Sequence, residues 1–119
     1  MVIYHNINNI KIAIPDTENL IISCTQDAVD LLGEAGLEEC SRIIIHEKNL
    51  HTDFFTLSTG LAGDILQKFS NYRFKLAIIG DFSKFKSKSL QDFIRESNSG
   101  RQVFFVENKE AALKKLLAK

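Results

Sequence analysis

The stretch RIIIHEKNLHTDFFTLSTGLAGDILQKFSNYRFKLAIIGD, residues 42–81, decides the fold class of this chain. It opens with three consecutive isoleucines, a β-branched run typical of an inner strand that is covered on both faces. LAGDILQKFSNY (61–72) then carries apolar side chains on one helical stripe, and RFKLAIIGD (73–81) is a second apolar strand. A strand, a helix and a strand in succession predict a parallel β-α-β unit with a right-handed crossover.

The same alternation continues toward the C-terminus. SKSLQDFIRESNSG (87–100) predicts a helix whose start is capped by Ser87 or Ser89. RQVFFVEN (101–108) predicts the last strand, and KEAALKKLLAK (109–119) predicts a closing helix with an apolar face. We therefore expect parallel neighbours throughout this part of the sheet.

Two short strands begin the chain. VIYHNI (2–7) and IKIAIP (10–15) are joined by Asn8 and Asn9, which tolerate the positive φ angles of a two-residue hairpin turn. The isoleucines of IKIAIP alternate with other residues, as in a strand with one buried face. The hairpin adds an antiparallel edge, so the predicted sheet is mixed.

The segment between the hairpin and residue 42 predicts one helix. Thr25 is a good N-cap, and the apolar spacing that follows is helical. Gly33 and Gly36 weaken that pattern, so we expect the helix to stop or kink there. LIIS (20–23) is either a short strand or the lead into this helix.

Composition places the chain among ordinary globular domains, with 45% hydrophobic and 25% charged residues in 119. Its net charge of zero is uneven, because residues 1–65 carry −7 and residues 66–119 carry +7. This separation suits two solvated faces, or a dipole that orients a charged partner. Cys24 and Cys40 are expected to be buried, reduced thiols. Lacking a signal-peptide pattern and a long apolar run, the sequence predicts a cytoplasmic protein that does not enter a membrane.

Known catalytic and metal motifs do not match. A P-loop requires GxxxxGK[ST], but Gly60 and Gly63 are three residues apart and no lysine follows until Lys68. HEKNLH (46–51) spaces its histidines by five residues, whereas the zincin helix spaces them by four. We therefore expect no catalytic residues, no metal and no cofactor, and the neutral net charge argues against nucleic acid.

Two loops supply the candidate site residues. In LSTGLAGD (57–64), small residues suit close packing of a helix on the sheet, while Ser58, Thr59 and Gly60 could hold an anion or be modified. The second loop follows a parallel strand and contains Gly80, Asp81 and Ser83. Because ligands bind at the carboxyl ends of parallel strands, we expect the two loops to be neighbours.

RIIIHEKNL followed by LSTGLAGDIL resembles the core of STAS domains, the fold of the bacterial anti-sigma-factor antagonists. In that family a hydrophobic strand leads to an Asp-Ser-Ser-Gly-Leu-Gly type motif and then a helix; residues 58–62, Ser-Thr-Gly-Leu-Ala, match its later part. Leu57 stands where the antagonists have an acid, and Asp64 where their helix is apolar. The resemblance implies a STAS-like fold and a phosphorylation switch at Ser58 or Thr59.

A second resemblance covers more of the chain. FFTLSTGLAGDILQKFSNYRFKLAIIGDFS (54–83) and SKSLQDFIRESNSGRQVFFV (87–106) are similar to small uncharacterised bacterial proteins, the 4180 family of domains of unknown function. That resemblance implies no biochemical activity.

We therefore expect a single STAS-like domain over residues 1–119, with four to five strands in a mixed sheet and helices mainly on one face. A flavodoxin-like, three-layer fold is the alternative. The expected function is a regulatory module that binds a protein, such as a kinase or an anti-sigma-like regulator, and that is not an enzyme. A small-ligand or anion site in the two loops is the second hypothesis, and the hairpin edge would allow homo-oligomers.

Overall fold

The computed structural model describes residues 2–118 as one mixed sheet of five strands with four α-helices. The strands are β1 (Val2–Ile7), β2 (Ile10–Pro15), β3 (Arg42–His46), β4 (Lys75–Ile79) and β5 (Val103–Val106). The helices are α1 (Thr25–Leu37), α2 (Leu61–Asn71), α3 (Lys88–Asn98) and α4 (Lys109–Leu117). Met1 and Lys119, the ends of the expected domain, lie outside the described residues. The α/β class and the mixed sheet are confirmed.

The order of strands in the sheet is the order in the chain, β1-β2-β3-β4-β5. β1 pairs antiparallel with β2 through a turn in which Asn8 and Asn9 have φ angles of 54° and 65°, as the hairpin prediction requires. The other three pairings are parallel. Successive right-handed crossovers that advance in one direction place their helices on one face of the sheet. In agreement, α1, α2 and α3 share one apolar core on a single face.

Among residues 2–118, α4 is the helix that covers the second face of the sheet. Ala112 and Leu116 of α4 pack against β3, β4 and β5 on this face. The isoleucine run of β3 is therefore buried on both sides, with Ile44 toward α4 and its two neighbours toward the other helices. Beyond α4, the hairpin leaves this face open, and Ile3 is 44% exposed. Helices lie mainly on one face, with a partial third layer over β3 to β5.

The region before β3 departs from expectation in three details. α1 runs through Gly33 and Gly36 to Leu37, because Ala28, Leu31, Leu32 and Ala35 pack on the core and both glycines face open space. Its N-cap is Cys24, and Ser23 donates from its amide and its hydroxyl to the Asp27 carboxylate. Cys24 is exposed, and only Cys40 is a buried thiol, so the expectation for Cys24 is wrong. Within the LIIS segment, Ile22 forms a single parallel bridge with Leu50.

Chain order also distributes the charge in space. β1, β2, α1 and β3 all belong to the acidic residues 1–65, and β4, α3, β5 and α4 to the basic residues 66–119. Since each strand lies beside its predecessor, the two halves of the sequence occupy different sides of the sheet. The acids of the first half lie mainly in α1 and in the connections, because β1 and β2 contain Lys11 and no acidic residue. On the β5 side, α4 carries three lysines and one glutamate.

Candidate functional site

β3 and β4 end side by side, because His46 pairs with Ile79 at the end of their shared register. The connections that follow these strands therefore leave from the same carboxyl edge of the sheet. Ligand sites of open α/β sheets lie at this edge. Residues 58–60 and 80–83, the two predicted loops, belong to these connections.

Glu47 ties the ends of β3 and β4 together. Its Oε1 accepts a hydrogen bond from the Asp81 amide at 3.1 Å, and its Oε2 lies 2.7 Å from Lys84 Nζ. The Glu47 side chain is only 15% exposed, so this ion pair is partly shielded from water. A Cβ atom on Gly80 would lie 2.8 to 2.9 Å from atoms of the Glu47 side chain. A larger residue at position 80 would therefore displace the Glu47 side chain from this bridge.

Asp81 and Ser83 bond mainly to each other. Asp81 Oδ1 accepts from the Ser83 amide at 3.1 Å and from the Ser83 hydroxyl at 2.6 Å. The Ser83 hydroxyl, then the Ser83 amide, and then the charge of Lys84 hold the pKa of Asp81 below its usual range. This arrangement caps the 3₁₀ turn Phe82–Lys84, so both side chains stabilise the loop itself.

Asn49 is the buried polar residue of this edge, with none of its surface exposed. Its Oδ1 accepts from the His46 amide at 2.9 Å, while its Nδ2 donates to the carbonyls of Thr17 and Asn19 at 2.9 and 2.8 Å. Its own carbonyl accepts from the amides of two further residues, Ile21 and Ile22. Asn49 thereby fastens the segment after β2 to the end of β3.

A pocket of about 320 Å³ lies beside the ion pair, and we call it the carboxyl-edge pocket. Its lining residues are Glu47, Lys48, Leu50, Thr52, Phe55, Lys84 and Phe85. The rings of Phe55 and Phe85 stack at 4.9 Å, and Lys84 Nζ lies 5.4 Å from the centroid of Phe85. An apolar wall with a few charged groups at its edge is typical of small-molecule sites.

Thr59 and Gly60 shape the start of α2. Gly60 has a φ of 79°, in the left-handed region that favours glycine, and α2 begins at the next residue. The Thr59 hydroxyl lies 2.7 Å from the Asp53 carbonyl and 2.9 Å from the Thr56 carbonyl, and it accepts from the Leu61 amide at 3.2 Å. The Thr59 hydroxyl is thus fully engaged.

Ser58, by contrast, is exposed, and its hydroxyl forms no hydrogen bond within residues 2–118. It lines a second pocket of about 320 Å³, which we call the hydroxyl pocket. The hydroxyl pocket is lined by Phe55, Thr56, Leu57, Ser58, Ser87 and Ser89. Ser87 caps α3 by accepting from the Leu90 amide at 3.2 Å, so Ser58 faces the start of that helix. Because Phe55 lines both pockets, they share a wall.

Residues that the sequence did not single out carry much of this geometry. Glu47 and Lys84 are joined across 37 positions of the chain, which no local pattern reveals. Neither histidine of HEKNLH belongs to a metal cluster, and the described part of the chain contains no group of three or more potential ligands. His51 Nδ1 accepts a hydrogen bond from the Asp53 amide at 3.0 Å and lies 3.7 Å from the Asp53 carboxylate, so its contacts are with its own loop.

These observations define an α/β domain with a sequentially ordered mixed sheet and two adjoining pockets at its carboxyl edge. The chain belongs to the family described as domain of unknown function (DUF4180), whose model matches residues 7–116. The resemblance to that family is confirmed. No curated protein and no solved structure matches the chain. In residues 2–118, no helix has the length and apolar character needed to cross a membrane.

Proposed function

We propose that this chain is a small regulatory module with a STAS-like architecture, which binds a protein partner under the control of Ser58 phosphorylation. The observation that carries the proposal is the difference between two adjacent hydroxyls. Ser58 is exposed at the hydroxyl pocket and its hydroxyl forms no hydrogen bond within the described chain, whereas the Thr59 hydroxyl contacts three backbone groups. A kinase could reach the first without disturbing the start of α2.

The surroundings of Ser58 suit an added phosphate. Phosphorylation introduces a charge of about −1.5 to −2 at neutral pH and three strong acceptor oxygens. Ser87 and Ser89 line the same pocket at the start of α3, where the helix dipole favours negative charge. Two exposed lysines, Lys86 and Lys88, alternate with these serines in the chain. A phosphate on Ser58 would therefore change both the charge and the shape of the surface that a partner contacts.

The test compares modification and binding at this serine. We expect mass spectrometry of the protein isolated from its own host to find phosphate on Ser58 and none on Thr59. Quantitative cross-linking in the host should show a partner that is lost or gained between Ser58→Ala and Ser58→Asp. Ser70→Asp, on the exposed side of α2, is the matched control and should leave that partner unchanged. An unmodified Ser58 together with identical partners for both variants would rule the proposal out.

The carboxyl-edge pocket supports a second function, the binding of a small ligand. Its apolar wall, its ion pair and its place after two parallel strands are features of such sites. Ligands at about 100 times their dissociation constant should stabilise the protein by about 2.7 kcal/mol. A thermal-shift screen of anions and nucleotides should find a ligand whose effect is lost in Lys84→Gln and kept in Lys86→Gln. A screen in which no compound distinguishes these two variants would contradict this function.

A further inference from the structure

We propose that the opposite, amino edge of the sheet binds a small molecule that carries at least two phosphoryl groups. The site is a pocket of about 330 Å³ between the start of β4, the start of β5 and the end of α4, and we call it the amino-edge pocket. It is lined by Lys75, Gly100, Arg101, Phe104, Lys115 and Ala118. It lies in the basic half of the protein, away from the carboxyl edge.

Three structural elements bring the cations together. Lys75 is the first residue of β4 and points to the α4 face, because Ala77, two residues further on, packs against α4. Arg101 lies in the turn just before β5, and Lys115 comes from the last turn of α4. Phe104 forms an apolar wall, being 5% exposed, and Lys115 Nζ lies 5.7 Å from the centroid of its ring.

These cations lack acidic partners. None of the three lining cations forms an ion pair within residues 2–118. At the carboxyl edge and on α3 the situation differs, since Lys84 pairs with Glu47 at 2.7 Å and Lys88 with Asp92 at 3.0 Å. The positive charge of the amino-edge pocket is therefore available to an anion from solution.

A fourth cation makes the arrangement unfavourable without a ligand. Arg42, the first residue of β3, stands directly opposite Lys75 in the register of the two strands, on the same face of the sheet. Like charges in opposed positions of neighbouring strands destabilise a sheet. Arg42 is half-buried and forms no ion pair among the described residues either. Lys115 is stabilised locally by the helix C-terminus and by the ring of Phe104. No such local interaction in the described part of the chain explains the opposed pair of Arg42 and Lys75.

The chemistry of the pocket selects the ligand class. Arg101 offers a planar fork that matches phosphate oxygens in pairs, and Lys75 and Lys115 add compact charges. Three positive charges that line one pocket, with Arg42 beside Lys75, call for a ligand with several negative charges, as a diphosphate has. A volume of about 330 Å³ is at the lower end for small-molecule sites, so it fits one small ligand and not a polymer. The diphosphate is either free pyrophosphate or part of a nucleotide.

Calorimetry on the whole chain tests this site, with pyrophosphate, ADP, adenosine and orthophosphate as separate titrants. We expect pyrophosphate or ADP to bind and adenosine not to bind; binding of ADP alone would identify the source as a nucleotide. Lys75→Gln and Arg101→Gln should each raise the dissociation constant about tenfold, because each removes a charged hydrogen-bond donor. Lys68→Gln and Lys109→Gln are the matched controls and should leave it unchanged.

A second measurement separates a binding site from a merely structural cluster. Without ligand, Lys75→Gln should raise the midpoint of thermal unfolding, because it removes the repulsion with Arg42, while the same variant binds the ligand about tenfold more weakly. The proposal is overturned if neither diphosphate binds at millimolar concentration, or if both variants bind as the unchanged protein does. It is also overturned if a single-stranded oligonucleotide binds through the same cations more tightly than ADP. All these variants keep Ser58, so the outcome is independent of the phosphorylation proposal.

Discussion

Replacing Asn49 with alanine should cost this protein a large part of its stability. The substitution removes three side-chain hydrogen bonds, one from the His46 amide and two to the carbonyls of Thr17 and Asn19. The site is completely buried, so water does not readily take the place of the side chain. The His46 amide in particular is left without its acceptor.

The magnitude follows from the hydrogen bonds lost. Each contributes about 1 kcal/mol net, so we expect the loss of three to cost about 3 kcal/mol. For a chain of 119 residues the unfolding entropy is about 250 cal/mol/K near 60 °C. A loss of about 3 kcal/mol then lowers the unfolding midpoint by about 12 °C.

Urea denaturation followed by circular dichroism measures this loss. Asn71→Ala is the matched control, because Asn71 accepts one exposed hydrogen bond from Gln67 at the end of α2. The control should change the free energy of unfolding by less than about 0.5 kcal/mol, as exposed substitutions do. If Asn49→Ala and Asn71→Ala unfold at the same urea concentration, Asn49 does not fasten the segment after β2.

Asn49→Asp adds a pH test of the same contacts. Burial and two facing carbonyls would raise the pKa of the new carboxyl above its unfolded value of about 3.9. A group whose pKa is raised on folding favours the folded state at low pH and loses that contribution as the pH rises through the raised value. Relative to the unchanged protein, Asn49→Asp should therefore be least stable at neutral pH and should recover in acid. A deficit that does not depend on pH would contradict the buried environment.

Three further predictions follow from the geometry. Gly80→Ala should lower the free energy of unfolding by about 1–2 kcal/mol, because the new methyl group overlaps the Glu47 side chain. In a Glu47→Ala background the same change should lower it much less. Equal losses in both backgrounds of this double-mutant cycle would refute the contact. Tyr4→Phe should stabilise the protein by up to about 1 kcal/mol in urea denaturation, because the Tyr4 hydroxyl is buried and has no hydrogen-bond partner among residues 2–118. A loss of stability would show that the hydroxyl has one. A thiol reagent should label the exposed Cys24 quickly in the native protein and should label Cys40 only on unfolding. Cys40 is buried, and burial also raises the pKa of its thiol, so little thiolate is present to react. Equal labelling rates would contradict the packing.

Sequence predicts those parts of the fold that depend on residues close together in the chain. Asn8 and Asn9 meet the φ requirement of their turn without help from distant residues, and Ser87 caps α3 through a contact three residues away. α1 shows the limit, because propensity alone would end it at Gly33 or Gly36. Burial of one face of α1 outweighs the cost of about 1 kcal/mol for each glycine, and sequence does not reveal how deep that burial is.

The candidate site is less accessible to sequence reasoning because its contacts are distant along the chain. Ser58 and Asp81 could be selected from their positions after predicted strands, yet the structure gives them different surroundings. Asp81 accepts hydrogen bonds from Ser83, and its loop is held by Glu47, which lies 34 residues earlier in the chain. Which hydroxyl of the Ser58-Thr59 pair is free depends on the path of residues 53–56, which takes shape only in three dimensions.

The agreement between chain order and strand order has a consequence for synthesis on the ribosome. When a strand is synthesised, the strand beside which it will lie has already been made. The sheet can therefore grow one strand-helix unit at a time, and each pairing joins strands that are neighbours in the chain. The second face is the exception, because Ile44, Ala77 and Phe104 are covered by α4, which is synthesised after all five strands. Until α4 is made, the apolar face that it covers is exposed to solvent. A chaperone that shields this face would protect the nascent chain most during that interval.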